Sequence, residues 1–314
     1  MGRVVLAGGS GFLGEVLAGH FGRQGAEVVI LSRHVPPFPT RALHHSWDGR
    51  TVGEWATALD GAGVLINLAG RTVNCRYHAR NRREMMESRT ASTRVLGEAI
   101  RRCSRPPRVW INSSTATIYQ HSLDQPMDES GRIAATPEAK DAFSIEVAEA
   151  WEREFRQAHV PLTRKVLIRT AMVLGLGANS VFPTLRRLVR LGLGGTMASG
   201  RQYVSWIHEA DFCRALDWIF THEELEGPVN LAAPNPLPNR EMMRVLREAC
   251  GAPFGLPASA WMLEAGAFLL RTETELIIKS RRVVPGRLAA GGFAFQFPTF
   301  AGAVQELLSR AADR

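Results

Sequence analysis

The chain has 314 residues, 45% of them hydrophobic and 22% charged, with a formal net charge of +8. That balance excludes a disordered protein and suits one composite domain or two closely joined ones. No apolar stretch is long enough to span a membrane, and the N-terminus enters a strand rather than a basic then apolar leader, so a cytoplasmic protein with no membrane partner is expected.

Lys140, Lys165 and Lys279 are the only lysines among the 38 basic residues. The positive charge is therefore arginine spread along the chain, which argues against a nucleic-acid surface. Cys75, Cys103, Cys213 and Cys250 are far apart and form no C-x-x-C pair, so neither a zinc site nor a disulfide framework is expected, and no metal.

In chain order, the first element is an apolar run, Val4 to Ala7, that ends in Gly8-x-x-Gly11-x-x-Gly14. This predicts a strand, a tight turn and a helix. The first glycine permits the turn, the second lets backbone amides approach a pyrophosphate, and the third lets helix and strand pack closely. The orphan amides of Phe12 and Leu13 would face the phosphates. Gly9-x-Gly11-x-x-Gly14 fits the dinucleotide fingerprint too, so the spacing alone selects no subfamily.

A second strand, Glu27 to Leu31, runs into Ser32-Arg33. An NAD enzyme usually places Asp or Glu about 20 residues past the glycines to accept from the ribose 2′-hydroxyl. A guanidinium cannot accept and a neutral hydroxyl is a weaker acceptor than a carboxylate, but both suit a 2′-phosphate, so the expected cofactor is NADP(H). The competing reading is that Arg33 is one more solvated arginine.

Ala42 to Trp47 reads as a third strand ending at Asp48, whose carboxylate could reach an adenine amino group. Val64 to Asn67 reads as a buried fourth strand, and the small exit Leu68-Ala69-Gly70 lets backbone lie against a cofactor. Arg76, Arg80, Arg82, Arg83 and Arg89 follow, fitting either an anionic ligand or a solvated face of the helix expected over about residues 83–103. Val109 to Ser114 is the fifth strand, Leu162 to Val173 the sixth, and Pro228 to Leu231 a short later one. Strands and helices alternating in this way predict an α/β fold, a Rossmann-type doubly wound parallel sheet with a smaller C-terminal α/β substrate lobe. The expected division is 1–173 with about 203–233 for the sheet domain, and 174–202 with 234–314 for the lobe.

Ser113-Ser114-Thr115-Ala116-Thr117-Ile118-Tyr119 resembles the S-S-[ST]-x-x-x-Y segment of extended short-chain dehydrogenases/reductases. Within that group the chain is most similar to the atypical YfcH-like epimerase-family proteins. The similarity rests on Asn67 to Gly70, Ser88-Arg89, Trp151-Glu152, Gly192 to Gly195, Gly200-x-Gln202-x-x-Ser205-Trp206-Ile207-His208-x-x-Asp211, Arg282 to Leu288, and Gly292-Phe293-x-Phe295. These segments cover nearly the whole length. The resemblance implies an NAD(P)-dependent oxidoreductase or epimerase acting on a small molecule, with Ser113 and Arg89 on the cofactor side and Thr115 polarising a substrate oxygen. A homodimer is compatible with it.

The family's Tyr-x-x-x-Lys pair is missing. Four residues after Tyr77, Tyr119 and Tyr203 stand Asn81, Leu123 and Ile207, and where the helix should carry the pair the chain offers Phe143/Val147 or Ser144/Ala148. A tyrosine without a neighbouring cation titrates near pH 10 and is a poor base at neutrality. Tyr119 beside Thr115 is the candidate proton donor, with packing as its alternative. Arg169, Ser205, Trp206 and His208 are the candidate substrate-side residues, while Asp211 is expected to cap the helix from Phe212 to Phe220. A non-catalytic NADPH-binding sensor or interaction protein is the competing function.

Overall fold

The computed structural model describes residues 2–259, 262 and 273–313. Seven strands form one parallel sheet: β1 (Arg3–Ala7), β2 (Glu27–Ser32), β3 (Leu43–Ser46), β4 (Val64–Asn67), β5 (Val109–Thr115), β6 (Arg164–Thr170) and β10 (Gly227–Leu231). Their order is β10-β6-β5-β4-β1-β2-β3, so the order reverses between β1 and β4. Ligands in open α/β sheets bind outside the strand ends at such a reversal.

The central strands are apolar on both faces because helices cover both. Val4, Leu6, Ile66, Ile111 and Ile168 face α1 (Phe12–Arg23) and α5 (Glu209–Thr221), which contribute Leu17, Phe21, Phe212 and Leu216. Val5, Leu65, Trp110 and Leu167 face α2 (Ala79–Arg102) and α3 (Ala142–Gln157), which contribute Leu96, Ile100 and Phe155.

The expected sixth strand divides at Ala171. β7 (Met172–Leu174) leaves the main sheet and pairs in parallel with β9 (Trp206–His208), while β8 (Tyr203–Val204) pairs antiparallel with β11 (Leu237–Pro238). These short ladders, α4 (Val181–Arg190), α6 (Asn239–Ala249) and the closing helix Phe300–Ala312 enclose a second core around Phe182, Trp206, Met243 and Leu307. Among the described residues no helix is long and apolar enough to cross a membrane.

The cap of α5 differs from expectation. His208, not Asp211, is its N-cap, with Nδ1 accepting the Ala210 amide at 3.1 Å. Asp211 is instead fully buried within the first turn and accepts the amides of Gln296 and Phe297, each at 2.8 Å. An aspartate ahead of an apolar periodic run signals a cap only if the helix starts there, and this helix starts two residues earlier.

Candidate functional site

The glycine turn separates two demands. A Cβ on Gly8, whose φ is +78°, would lie 2.6 Å from Ala69 Cα, and one on Gly14 would lie 2.0 Å from Gly9 O. Packing alone requires those two glycines. A Cβ on Gly11 would meet nothing within 4 Å, so the protein leaves the space before α1 open. The first backbone hydrogen bond of α1 runs from Glu15 to Gly11, leaving the amides of Phe12, Leu13 and Gly14 without intrahelical acceptors beside that space. The Phe12 ring packs against Gly177 and holds the helix start in place.

At the end of β2, Ser32 is buried and its hydroxyl donates to His34 O at 2.7 Å. Arg33 is exposed, and no carboxylate pairs with it among the described residues. Asp48 lies just past β3 with its carboxylate engaged locally, accepting the amides of Arg50 and Thr51 and the Thr51 hydroxyl at 2.8–3.0 Å. Although its slight burial opposes this, those donors hold its pKa below the usual carboxylate value.

Past β4, the Leu68 amide donates to Ala7 O at 2.7 Å and the Ala69 amide to Asn67 Oδ1 at 3.0 Å, so the β4 exit lies against the β1 exit. Arg89 closes this side. A Cβ on Gly70 would be 3.2 Å from its guanidinium carbon, which lies 5.2 Å from the Trp151 ring centroid. Among the described residues its donors reach only the carbonyls of Met85 and Arg71 and no carboxylate lies beside it, and burial lowers its pKa to about 10. Arg76 and Arg80 of the same sequence cluster instead pair with Glu273 and Glu84.

Strand alternation sorts the β5 residues. Thr115 is half-buried at the strand end, and its Oγ1 accepts the Thr117 amide at 3.1 Å, leaving its own proton to donate. Ser113 is half-buried on the same face. Ser114 points to the other face and joins a closed network: its hydroxyl donates to Glu152 Oε1 at 2.7 Å, and Arg169 forks onto both Glu152 oxygens at 2.9 Å. Arg169 Nη1 also donates to Tyr119 Oη at 2.9 Å, and Tyr119 donates to Asn230 Oδ1 at 2.7 Å. Burial alone would pull the Arg169 pKa down, but the Glu152 contacts override it and raise it. Burial raises the Tyr119 pKa against the pull of Arg169.

The structure thus brings Tyr119 and Arg169 together, inside a satisfied network rather than at an open edge. Trp206 is fully buried, donates to Asn235 O at 3.2 Å and stacks edge-on against Phe300. His208 caps α5, lies over Phe297 and contacts Glu306 Oε2 at 2.9 Å. Of the three residues selected from that segment, only Ser205, buried with an unpartnered hydroxyl, keeps a free polar atom.

A second polar cluster, none of which was selected from the sequence as a site, lies beside the Thr115 turn. Lys279, 1% exposed, donates to Thr117 O at 2.6 Å and pairs with the fully buried Asp141 at 2.5 Å. Arg281 Nε donates to Thr117 Oγ1 at 3.0 Å. Ser144, in the first turn of α3, donates to Glu275 Oε2 at 2.8 Å, while Glu275 Oε1 is buried without a partner. Tyr77 packs edge-on against Phe143 at 5.3 Å, and its buried hydroxyl lies against Ser144. Burial raises the Glu275 pKa despite Ser144, Arg281 and Lys279, and it pushes Tyr77 to about 12. The sequence signals were Lys279, a rare lysine in an arginine-rich chain, and Ser144, in one register of the missing Tyr-x-x-x-Lys pair.

A glycine turn opening α1 at the reversal of a parallel sheet, next to a Ser-Ser-Thr strand end, defines a Rossmann-like nucleotide-binding fold. The chain belongs to the NAD dependent epimerase/dehydratase family, whose model matches residues 4–232, and residues 258–307 match a domain of unknown function, DUF1731. It is 30% identical to the epimerase family protein SDR39U1 of Bos taurus over 98% of this chain and 100% of that one. It is 28% identical to the epimerase family protein YfhF of Bacillus subtilis over 99% of this chain and 98% of that one. The crystal structure of human epimerase family protein SDR39U1 (isoform 2) with NADPH aligns at a TM-score of 0.83 and 28% identity, covering 98% of this chain and 99% of that one.

Proposed function

We propose that this protein is an NADP(H)-dependent oxidoreductase or epimerase-like enzyme acting on the carbonyl or alcohol of a small molecule. The observation that carries this reading is the open space beside Gly11, facing three helix-start amides, with the unpaired Arg33 at the end of the neighbouring strand. The residues fit the dinucleotide. Phe12, Leu13 and Gly14 would hold its diphosphate, Arg33 its 2′-phosphate, and Leu68, Ala69 and Gly70 would lie against it. Bound NADPH in the human relative's crystal structure supports the same choice.

When bound, the dinucleotide supplies hydride exchange. Thr115 holds the substrate oxygen through its free hydroxyl proton, since its lone pair already takes the Thr117 amide. Arg89 contributes a desolvated positive charge beside Gly70 that an anionic group of the cofactor or substrate would neutralise. Tyr119, Arg169, Trp206 and His208 are read as framework, because their polar atoms are spent on neighbouring side chains and on the backbone.

Titration of the purified protein with NADPH and NADH tests the cofactor. The wild type is expected to prefer NADPH, and Arg33→Ala to weaken NADPH by about tenfold to a hundredfold, the worth of charge-assisted hydrogen bonds, with NADH unchanged. Equal wild-type affinity for the two dinucleotides would refute the 2′-phosphate assignment. A carbonyl library then separates enzyme from sensor. Thr115→Val is expected to slow turnover about a hundredfold, as losing one oxyanion donor does, and a library in which nothing oxidises NADPH favours the sensor.

A further inference from the structure

The cluster beside Thr115 answers a question the sequence leaves open: with no Tyr-x-x-x-Lys pair, what moves the proton? Ser144 stands in the first turn of α3, where one register of the resemblance expects the tyrosine, and its hydroxyl goes to Glu275. Glu275 is only 4% exposed and comes from 131 residues further along the chain. Its segment is tied to the same turn that holds Thr115: Lys279 and Arg281 grip Thr117 through its carbonyl and hydroxyl, and the Thr117 amide donates to Thr115 Oγ1. Buried polar atoms nearly always find partners, so the unpartnered Glu275 Oε1, with the Tyr77 hydroxyl nearby against Ser144, is the capacity a ligand would complete.

We propose that Glu275 is the acid–base residue of this site, exchanging a proton through Oε1 with the substrate oxygen that Thr115 holds, and that Tyr77 is a neutral donor to the same ligand. The proposal rests on the oxidoreductase reading above. The balance is one proton: it leaves the Glu275 carboxyl for the oxygen of a carbonyl whose carbon receives hydride from a reduced nicotinamide dinucleotide, leaving a carboxylate and an alcohol. Solvent then returns the proton, and the reverse direction takes it from the alcohol. The matching substrate class is an aldehyde, a ketone or the corresponding alcohol.

A general acid works best with a pKa near the working pH. The groups facing Glu275 are Ser144 and Asp141 from α3, Lys279 and Arg281 from its own segment, and Tyr77 from the β4–α2 connection. Burial outweighs the two cations and shifts the carboxyl upward.

The decisive experiment compares wild type, Glu275→Gln and Ser144→Ala in two readouts. Infrared titration of the cofactor-free protein should show a carboxyl that ionises above the ordinary glutamate value of about 4.3. That band should be absent from Glu275→Gln and displaced to still higher pH in Ser144→Ala, which loses the donor to the carboxylate. With NADPH and a carbonyl compound turned over by the wild type, Glu275→Gln should lose about a hundredfold or more in rate and the alkaline limb of its pH profile, with NADPH affinity retained. A late-ionising band that survives Glu275→Gln, or an unchanged pH profile, overturns the role of Glu275 alone. No wild-type turnover of any carbonyl overturns the oxidoreductase reading and the catalytic role that rests on it, whereas wild-type turnover that Glu275→Gln leaves undiminished overturns the role of Glu275 and leaves that reading standing.

Discussion

Two buried polar clusters flank the end of β5, and they differ in how completely they are satisfied. On the α3 face of the sheet, Ser114, Glu152, Arg169, Tyr119 and Asn230 form a chain in which each polar side chain finds a partner. Beside the Thr115 turn, Lys279 and Asp141 are paired, but Glu275 Oε1 is left over and, among the described residues, the Tyr77 hydroxyl has only Ser144 against it. A closed network spends its hydrogen bonds on fixing strands and helix. An open one keeps costly unmet capacity, which a fold retains where a ligand supplies the rest.

Breaking the closed network should give the largest effect. Arg169→Met leaves Glu152 buried with less compensation and is expected to destabilise the fold by about 3–5 kcal/mol in denaturant unfolding. Tyr119→Phe, which strips Asn230 Oδ1 of its donor, is expected to cost about 1–3 kcal/mol while turnover per folded molecule stays unchanged. A loss of turnover with stability intact would instead make Tyr119 the proton donor.

The open cluster should respond with opposite sign. A carboxyl whose folded pKa is raised stabilises the fold fully below its unfolded pKa, and that contribution is lost as pH rises through the folded value. Glu275→Gln is therefore expected to raise the melting temperature at neutral pH, an advantage that disappears near pH 4. A lower melting temperature at pH 7 would place Glu275 in the framework.

The smallest effect belongs to His208. Burial lowers its pKa against the pull of Glu306, so its contribution is present above the ordinary imidazole value of about 6.5 and is lost as pH falls through the lowered one. His208→Gln should flatten the stability profile across that window, as read by thermal melts at successive pH values.

Much of the sheet was legible in the sequence because it depends on local signals: apolar runs, the glycine spacing and the Ser32-Arg33 strand end. The site's far wall was not. Tyr119 sits four residues past Thr115, but the intervening 3-10 turn, Ala116–Ile118, carries it into the core with Ile118 and Ala148. Arg169 reads as a strand-end cation, yet its face of β6 is the one covered by α3. Asp211 carried a capping signal that position within the helix overrode. Glu275 and Tyr77 meet only through tertiary folding, across a separation that no pattern in one sequence reports.

The Lys279–Asp141 pair joins the two family segments of the chain. Asp141 lies within the stretch that matches the epimerase/dehydratase model, and Lys279, Arg281 and Glu275 lie within the stretch matching the domain of unknown function. A protein cut after residue 232 would keep the glycine turn yet expose Asp141 and strand Thr117 without its two cations. The C-terminal segment thus buttresses the Thr115 turn rather than hanging from it as an appendage, and under the proposed function the two halves are expected to regain activity only when expressed together.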